Sequence, residues 1–180
     1  MKKILAILTA LVLIVAAAAA LAEETPFTFR NGVTFIMDMP AVMGTEAGRP
    51  EIDTERTRGG IVFDEAEYEN VTEGGVRADL EYLFIGNCLV AIRVKYDDGR
   101  MNYDALTADL RAKYGEPATA DAAKLGKAIW AVDDDGFLKP GAGAFTAGNL
   151  TVIVERAYDD DGDEIEVTYL DMSAAYVTAP

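Results

Sequence analysis

Between Val76 and Phe84 every second residue is apolar, and the neighbours up to Glu81 are charged. Successive side chains leave a strand on opposite sides, so this period of two marks a β-strand with one buried face. The alternation returns with Val90, Ile92, Val94 and Tyr96 against Ala91, Arg93 and Lys95. Gly86-Asn87 lies between the runs, and both residue types tolerate positive φ, so the two strands are expected to close as a hairpin. The rows Val76/Ala78/Leu80/Tyr82/Phe84 and Val90/Ile92/Val94/Tyr96 then form the core face. Upstream, residues 61–72 read as one or two more strands, joined through Glu73-Gly74-Gly75 into a three- or four-stranded antiparallel meander. Residues 51–60 are polar and charged, and read as a loop.

Helical signals flank this meander. Asp38 is a good N-cap, Pro40 falls in the first turn, and Gly48 and Pro50 end a short apolar patch. After Asp97-Asp98-Gly99, Asn102 can cap a helix that sets Tyr103, Leu106, Leu110 and Tyr114 on one face. Arg111 and Lys113 suit its C-terminal dipole, Gly115 suits the C′ position, and Pro117 prevents continuation. A second set of strands is expected at residues 128–132, with Trp130, and at 150–158 and 164–170. A Gly-rich loop covers 136–148, and Ile165, Val167 and Tyr169 form a buried row. The fold class is α+β: antiparallel sheet in a helix-meander, helix-meander order, with the helices on one face. The two halves fall at about residues 27–98 and 99–172.

The amino terminus carries an export signal. Met1-Lys2-Lys3 is basic, residues 4–22 are uncharged, and Ala20-Leu21-Ala22 forms an A-x-A cleavage site before Glu23-Glu24. Residues 1–22 are therefore read as a signal peptide and 23–180 as a single secreted or extracytoplasmic domain. The competing reading is an uncleaved anchor, which the alanine-rich last third of the run disfavours. Cleavage removes 22 of 180 residues and leaves 158, enough for one core without staples. It also removes Lys2 and Lys3, leaving 14 basic against 31 acidic residues, a formal charge of −17. Such a field repels nucleic acid and anionic polymers, and it favours cations and basic protein surfaces. Cys88 is alone, so there is no intrachain disulfide; its place at a turn entering a strand suggests a half-buried structural thiol.

At this point the chain resembles a known group. Phe29-Arg30-Asn31-Gly32-Val33-Thr34-Phe35, followed by Met37-Asp38-Met39, is similar to the opening of small exported proteins of Gram-positive gut bacteria, where a phrase like F-R-N-G-x-x-F-G-M-S leads into a first helix. Ile36 stands where that phrase has glycine. Tyr103-x-x-Leu106-x-x-x-Leu110-x-x-x-Tyr114-Gly115-x-Pro117, then Trp130, resembles their second helix and following strand. The helix-then-meander order taken twice also resembles the beta-lactamase inhibitory protein fold and its single-unit relative, the BamE-like (SmpA/OmlA) lipoproteins. The resemblance implies protein binding or an unknown role, and no enzymatic activity.

The absence of histidine removes Ser-His-Asp and Cys-His catalysis and the ordinary zinc sites. Carboxylate pairs are too plentiful for one to be singled out. Asp159, Asp161 and Asp163 surround a glycine as in a calcium loop. The EF-hand register fails, however, since Ala157 would take the first ligand position and Thr168 the twelfth. Solvated hairpin turns explain this run and Asp133-Asp134-Asp135 better, and weak calcium binding is the most they would support. The glycines at 141 and 143 lack a following Gly-Lys-Ser/Thr, so no phosphate loop is read. No cofactor is expected. The functional expectation is an exported, non-catalytic protein-binding or inhibitor-like module of unknown partner, without stable membrane insertion. Its binding residues would be Arg77, Asp79, Glu81, Leu83, Arg93 and Lys95, on the sheet face opposite the helices. The alternative is an extracytoplasmic hydrolase of unfamiliar motif built on clustered carboxylates.

Overall fold

A computed structural model describes residues 27–58, 60–97, 101–117, 142–159 and 162–173. Its chain runs through a 3-10 turn at Arg30–Gly32, helix α1 (Met39–Thr45), strands β1 (Glu51–Arg58), β2 (Ile61–Glu73), β3 (Val76–Ile85) and β4 (Cys88–Tyr96), and helix α2 (Tyr103–Tyr114). Strands β5 (Gly143–Ala147), β6 (Leu150–Asp159) and β7 (Gly162–Asp171) follow. The seven strands form one antiparallel sheet in the order β1-β2-β3-β4-β7-β6-β5. The architecture is mixed α+β with the sheet dominant, and β4 against β7 joins both sets of strands into that single sheet.

Local chemistry accounts for the elements. The Asp38 carboxylate accepts the Ala41 amide at 2.8 Å and starts α1, and Asn102 does the same for Ala105 at 2.9 Å in α2. Gly115 ends α2 at φ 85 with its amide on the Arg111 carbonyl. Gly86 and Asn87 take φ 58 and 65, the paired left-handed conformation that a two-residue hairpin needs. The main core lies on one sheet face, where Leu80, Tyr82, Ile92 and Val94 meet Val33, Val42 of α1 and Leu110 of α2.

Four expectations are corrected here. Residues 51–58 are a strand, not a loop: the first seven are exposed, so backbone pairing to β2 makes β1 without any apolar row to announce it. Residues 143–147, placed in a Gly-rich loop, form β5, and the buried Ala144 and Phe145 hold it to opposite faces. Val90 leaves the predicted row. Leu83 pairs Ala91 whereas Phe84 pairs Leu89, so the extra residue of this bulge turns Val90 to the other face and gives its place to Leu89. Cys88 is exposed, not half-buried. The proposed strand at 128–132 with Trp130, Asp133-Asp134-Asp135, Asp161, and the side chains of Asp159 and Asp163 lie outside the described residues, as does the amino-terminal segment.

Candidate functional site

The sheet face opposite α1 and α2, expected to be free for a partner, is buried over much of its extent. Phe63, Leu83, Val90, Ala91, Ile153 and Leu170 form a second buried cluster on it. Leu83 therefore packs inward and offers no exposed apolar contact, and Ile85 is partly buried against the same cluster.

Beside that cluster lies a lattice of charge. One row of paired residues crosses all seven strands: Glu51, Glu67, Glu81, Arg93, Thr168, Ile153 and Ala144. The next row on this face sets Asp79, Lys95, Glu166 and Glu155 side by side. Glu81, only 1% exposed, is the hub. It accepts Arg93 Nε at 2.6 Å and pairs with Lys95 Nζ. Arg93 reaches on to Glu166 at 3.6 Å and Lys95 to Glu67 at 3.6 Å. Arg56 of β1 donates to Glu65 at 2.9 Å and also approaches Asp53 at 3.4 Å. Burial alone would raise the Glu81 pKa, but Arg93 and Lys95 outweigh it and hold the carboxyl below its usual range. Glu65 goes the other way. Burial first, then the charge and hydrogen bonding of Glu81, push it up to about 7 against Arg56 and Arg93. Two neighbouring carboxyls are thereby held in opposite protonation preferences.

All six residues singled out from the sequence share this face, but their roles differ. Glu81, Arg93 and Lys95 are knit into the lattice. Asp79 accepts the backbone amide of Asn70 at 2.6 Å, where β2 bulges with Asn70 at φ 57. The same device recurs one strand earlier, Asp64 accepting the Glu55 amide at 2.9 Å with Glu55 at φ 57. Arg77 is the exposed member, 3.6 Å from Asp97. Glu65, Glu67, Glu51, Asp53 and Arg56, not singled out from the sequence, line a shallow open depression at the β1 side. The signal was there in β2, where Glu65, Glu67 and Glu69 alternate with Ala66 and Tyr68.

On the helix face a second polar knot explains the Phe29-Arg30-Asn31-Gly32 phrase. Glu46, buried at the end of α1, accepts Tyr82 Oη at 2.5 Å and Asn31 Nδ2 at 3.1 Å, with Arg30 Nε at 3.4 Å. Arg30 also donates to the Thr72 carbonyl at 3.0 Å and pairs with Glu73. Burial first, and then the Glu46 contact, raise the Tyr82 pKa. Both polar knots tie elements together. Among the described residues no group of three metal-ligating side chains converges, and no helix there is long and apolar enough to cross a membrane. No protein-family profile, curated protein or solved structure matches this chain.

Proposed function

We propose that this chain is an exported, non-catalytic module that binds another protein through the polar face of its sheet. One observation carries the reading: the charges of that face are fixed in place by buried pairing around Glu81, while Arg77, Asp79, Glu67 and Lys95 at its margin still reach solvent. A prearranged pattern of mixed sign steers a partner and selects among partners without ordering cost at the moment of contact. The depression beside it is open and small, which suits surface contact better than enclosure of a substrate. Export rests on Lys2-Lys3, the uncharged run 4–22 and Ala20-Leu21-Ala22. The likeness to the beta-lactamase inhibitory protein fold belongs to the same proposal. It is supported by the order short helix, β1–β4 meander, helix, β5–β7 meander.

The competing reading, a carboxylate hydrolase, draws on Glu65 and Glu81, whose opposed pKa shifts are the arrangement acid–base catalysis uses. The experiment separates the two. A photo-reactive residue at position 77 should cross-link a saturable partner in culture fluid of the producing organism, and the same residue at position 109 on α2 should not. Absence of any adduct from position 77, together with turnover of a hydrolase substrate panel that Glu65→Gln abolishes, would replace the binding reading with the catalytic one.

A further inference from the structure

Among the described strands β1 ends the sheet, and its first seven residues are exposed. An edge of this kind presents unpaired backbone groups to any strand that can lie beside it. The side chains say which strand fits. Glu51 and Asp53 pair with Glu67 and Glu65, and Arg56 and Arg58 pair with Phe63 and Ile61. Those four partners alternate along one face of β2, so Glu51, Asp53, Arg56 and Arg58 all lie on that face. A regular strand could not do this, because residues 53 and 56 would fall on opposite sides. The extra residue at the Thr54–Glu55 bulge resets the phase and brings the two acids and two bases into one line. Read in the two directions, that line is acid, acid, base, base and base, base, acid, acid.

We propose that β1 pairs antiparallel with β1 of a second copy of this chain, joining two sheets edge to edge. The two-fold axis passes between Thr54 and Glu55. Glu51 then faces Arg58 of the second copy and Asp53 faces its Arg56, so each copy supplies two complementary pairs. Opposite charges directly across an antiparallel ladder stabilise it, and like charges oppose it. The bulges meet each other on the axis, so the extra residues match in number. On the other face Ile52 comes opposite Thr57, beside Val62 of the second copy. Ile52 and Val62, 42% and 57% exposed in the single chain, are large apolar side chains otherwise left in water. An isologous contact of this kind closes on itself as a dimer. One strand edge per copy is a small area and each chain carries a large negative charge, so the dimer is a weak one.

The test is a charge exchange read by sedimentation equilibrium of the mature protein at roughly 10 to 500 µM. Wild type should show concentration-dependent dimer. Glu51→Arg/Asp53→Arg and Arg56→Glu/Arg58→Glu should each weaken self-association at least tenfold, since each sets like charges face to face. An equimolar mixture of the two variants should restore dimer, because every pair across the joint is then opposite in sign. Restoration also establishes that neither variant has lost its fold. Asp104→Lys/Asp109→Lys, the same number of reversals on α2, should dimerise no less than wild type. A wild type that stays monomeric throughout overturns the proposal. So does self-association equal in wild type and both charge variants, which would put the contact elsewhere, or a mixture no more dimeric than its components. The binding reading of the polar face is untouched by any of these results.

Discussion

The Glu46 carboxylate at the end of α1 accepts the Tyr82 hydroxyl in the middle of β3 at 2.5 Å, with both side chains buried. This bond, with Arg30 and Asn31 on the other oxygen, docks the amino-terminal segment and α1 onto the sheet. Tyr82→Phe should cost about 1.5–3 kcal/mol, since it leaves a buried acceptor short of a donor. Denaturant unfolding of the two proteins measures it. A loss below about 0.5 kcal/mol would mean the knot does not hold α1 down.

Ile36 sits at φ 75 and is 78% exposed. Its amide and the Met37 carbonyl bond to Leu89 at 3.3 and 2.9 Å, which keeps the strained turn in place against β4. A β-branched residue in the left-handed region costs on the order of 1–3 kcal/mol, and its side chain buries little in return. Ile36→Gly should therefore raise stability by about 1 kcal/mol after the added entropy of the unfolded chain. Thermal melts give the answer, and a lowered midpoint would contradict the strain assigned to this turn.

Arg93 and Arg77 point from the same face with different consequences. Arg93, its side chain 15% exposed, neutralises Glu81 and approaches Glu166, whereas the Arg77 side chain is 52% exposed. Removing Arg93 takes a charge-assisted hydrogen bond from the buried Glu81, which keeps Lys95, so Arg93→Ala should cost about 1.5–3 kcal/mol. Arg77→Ala should cost under about 1 kcal/mol. Charge reversal at Arg93 is thus unsuitable as a surface probe, and Arg77 takes that role. Equal unfolding midpoints for the two variants would refute the lattice.

Glu65 is favoured in its protonated form, being raised from 4.5 to about 7 by burial and by Glu81. A carboxyl raised in the folded state binds protons that the unfolded chain has already released. Its contribution is therefore complete below 4.5 and lost as pH rises through 7. Glu67, raised chiefly by burial and by Glu81, acts in the same direction. Glu81, lowered by Arg93 and Lys95 in spite of burial, contributes at higher pH and loses its contribution on acidification. Between about pH 5 and about 8 the wild type should lose stability that Glu65→Gln retains, as urea midpoints at constant ionic strength would record. Parallel pH profiles for both proteins would contradict it.

The hairpin of β3 and β4 was legible because alternation, Gly86-Asn87 and burial agree there, and both helices were legible from their caps. What escaped reading has physical causes. β1 carries no apolar row, because an exposed edge strand needs none. Val90 changed face because a single extra residue in β4 shifts the phase of everything before it, and alternation cannot report a bulge. The charged residues of β3 and β4 look solvated in sequence; Glu81 is buried because Arg93 and Lys95 stand one strand away to neutralise it. Glu46, two residues from Gly48 in a polar stretch, gives no sign that Tyr82 lies above it.

The binding of a partner by the polar face is tested most directly by titrating the cross-linked partner, once purified, onto wild type and Arg77→Glu at two salt concentrations. The account predicts saturable binding to wild type, at least tenfold weaker binding to the variant with unchanged unfolding midpoint, and a loss of affinity with salt. Equal affinity of both proteins for the partner, at either salt concentration, would contradict it.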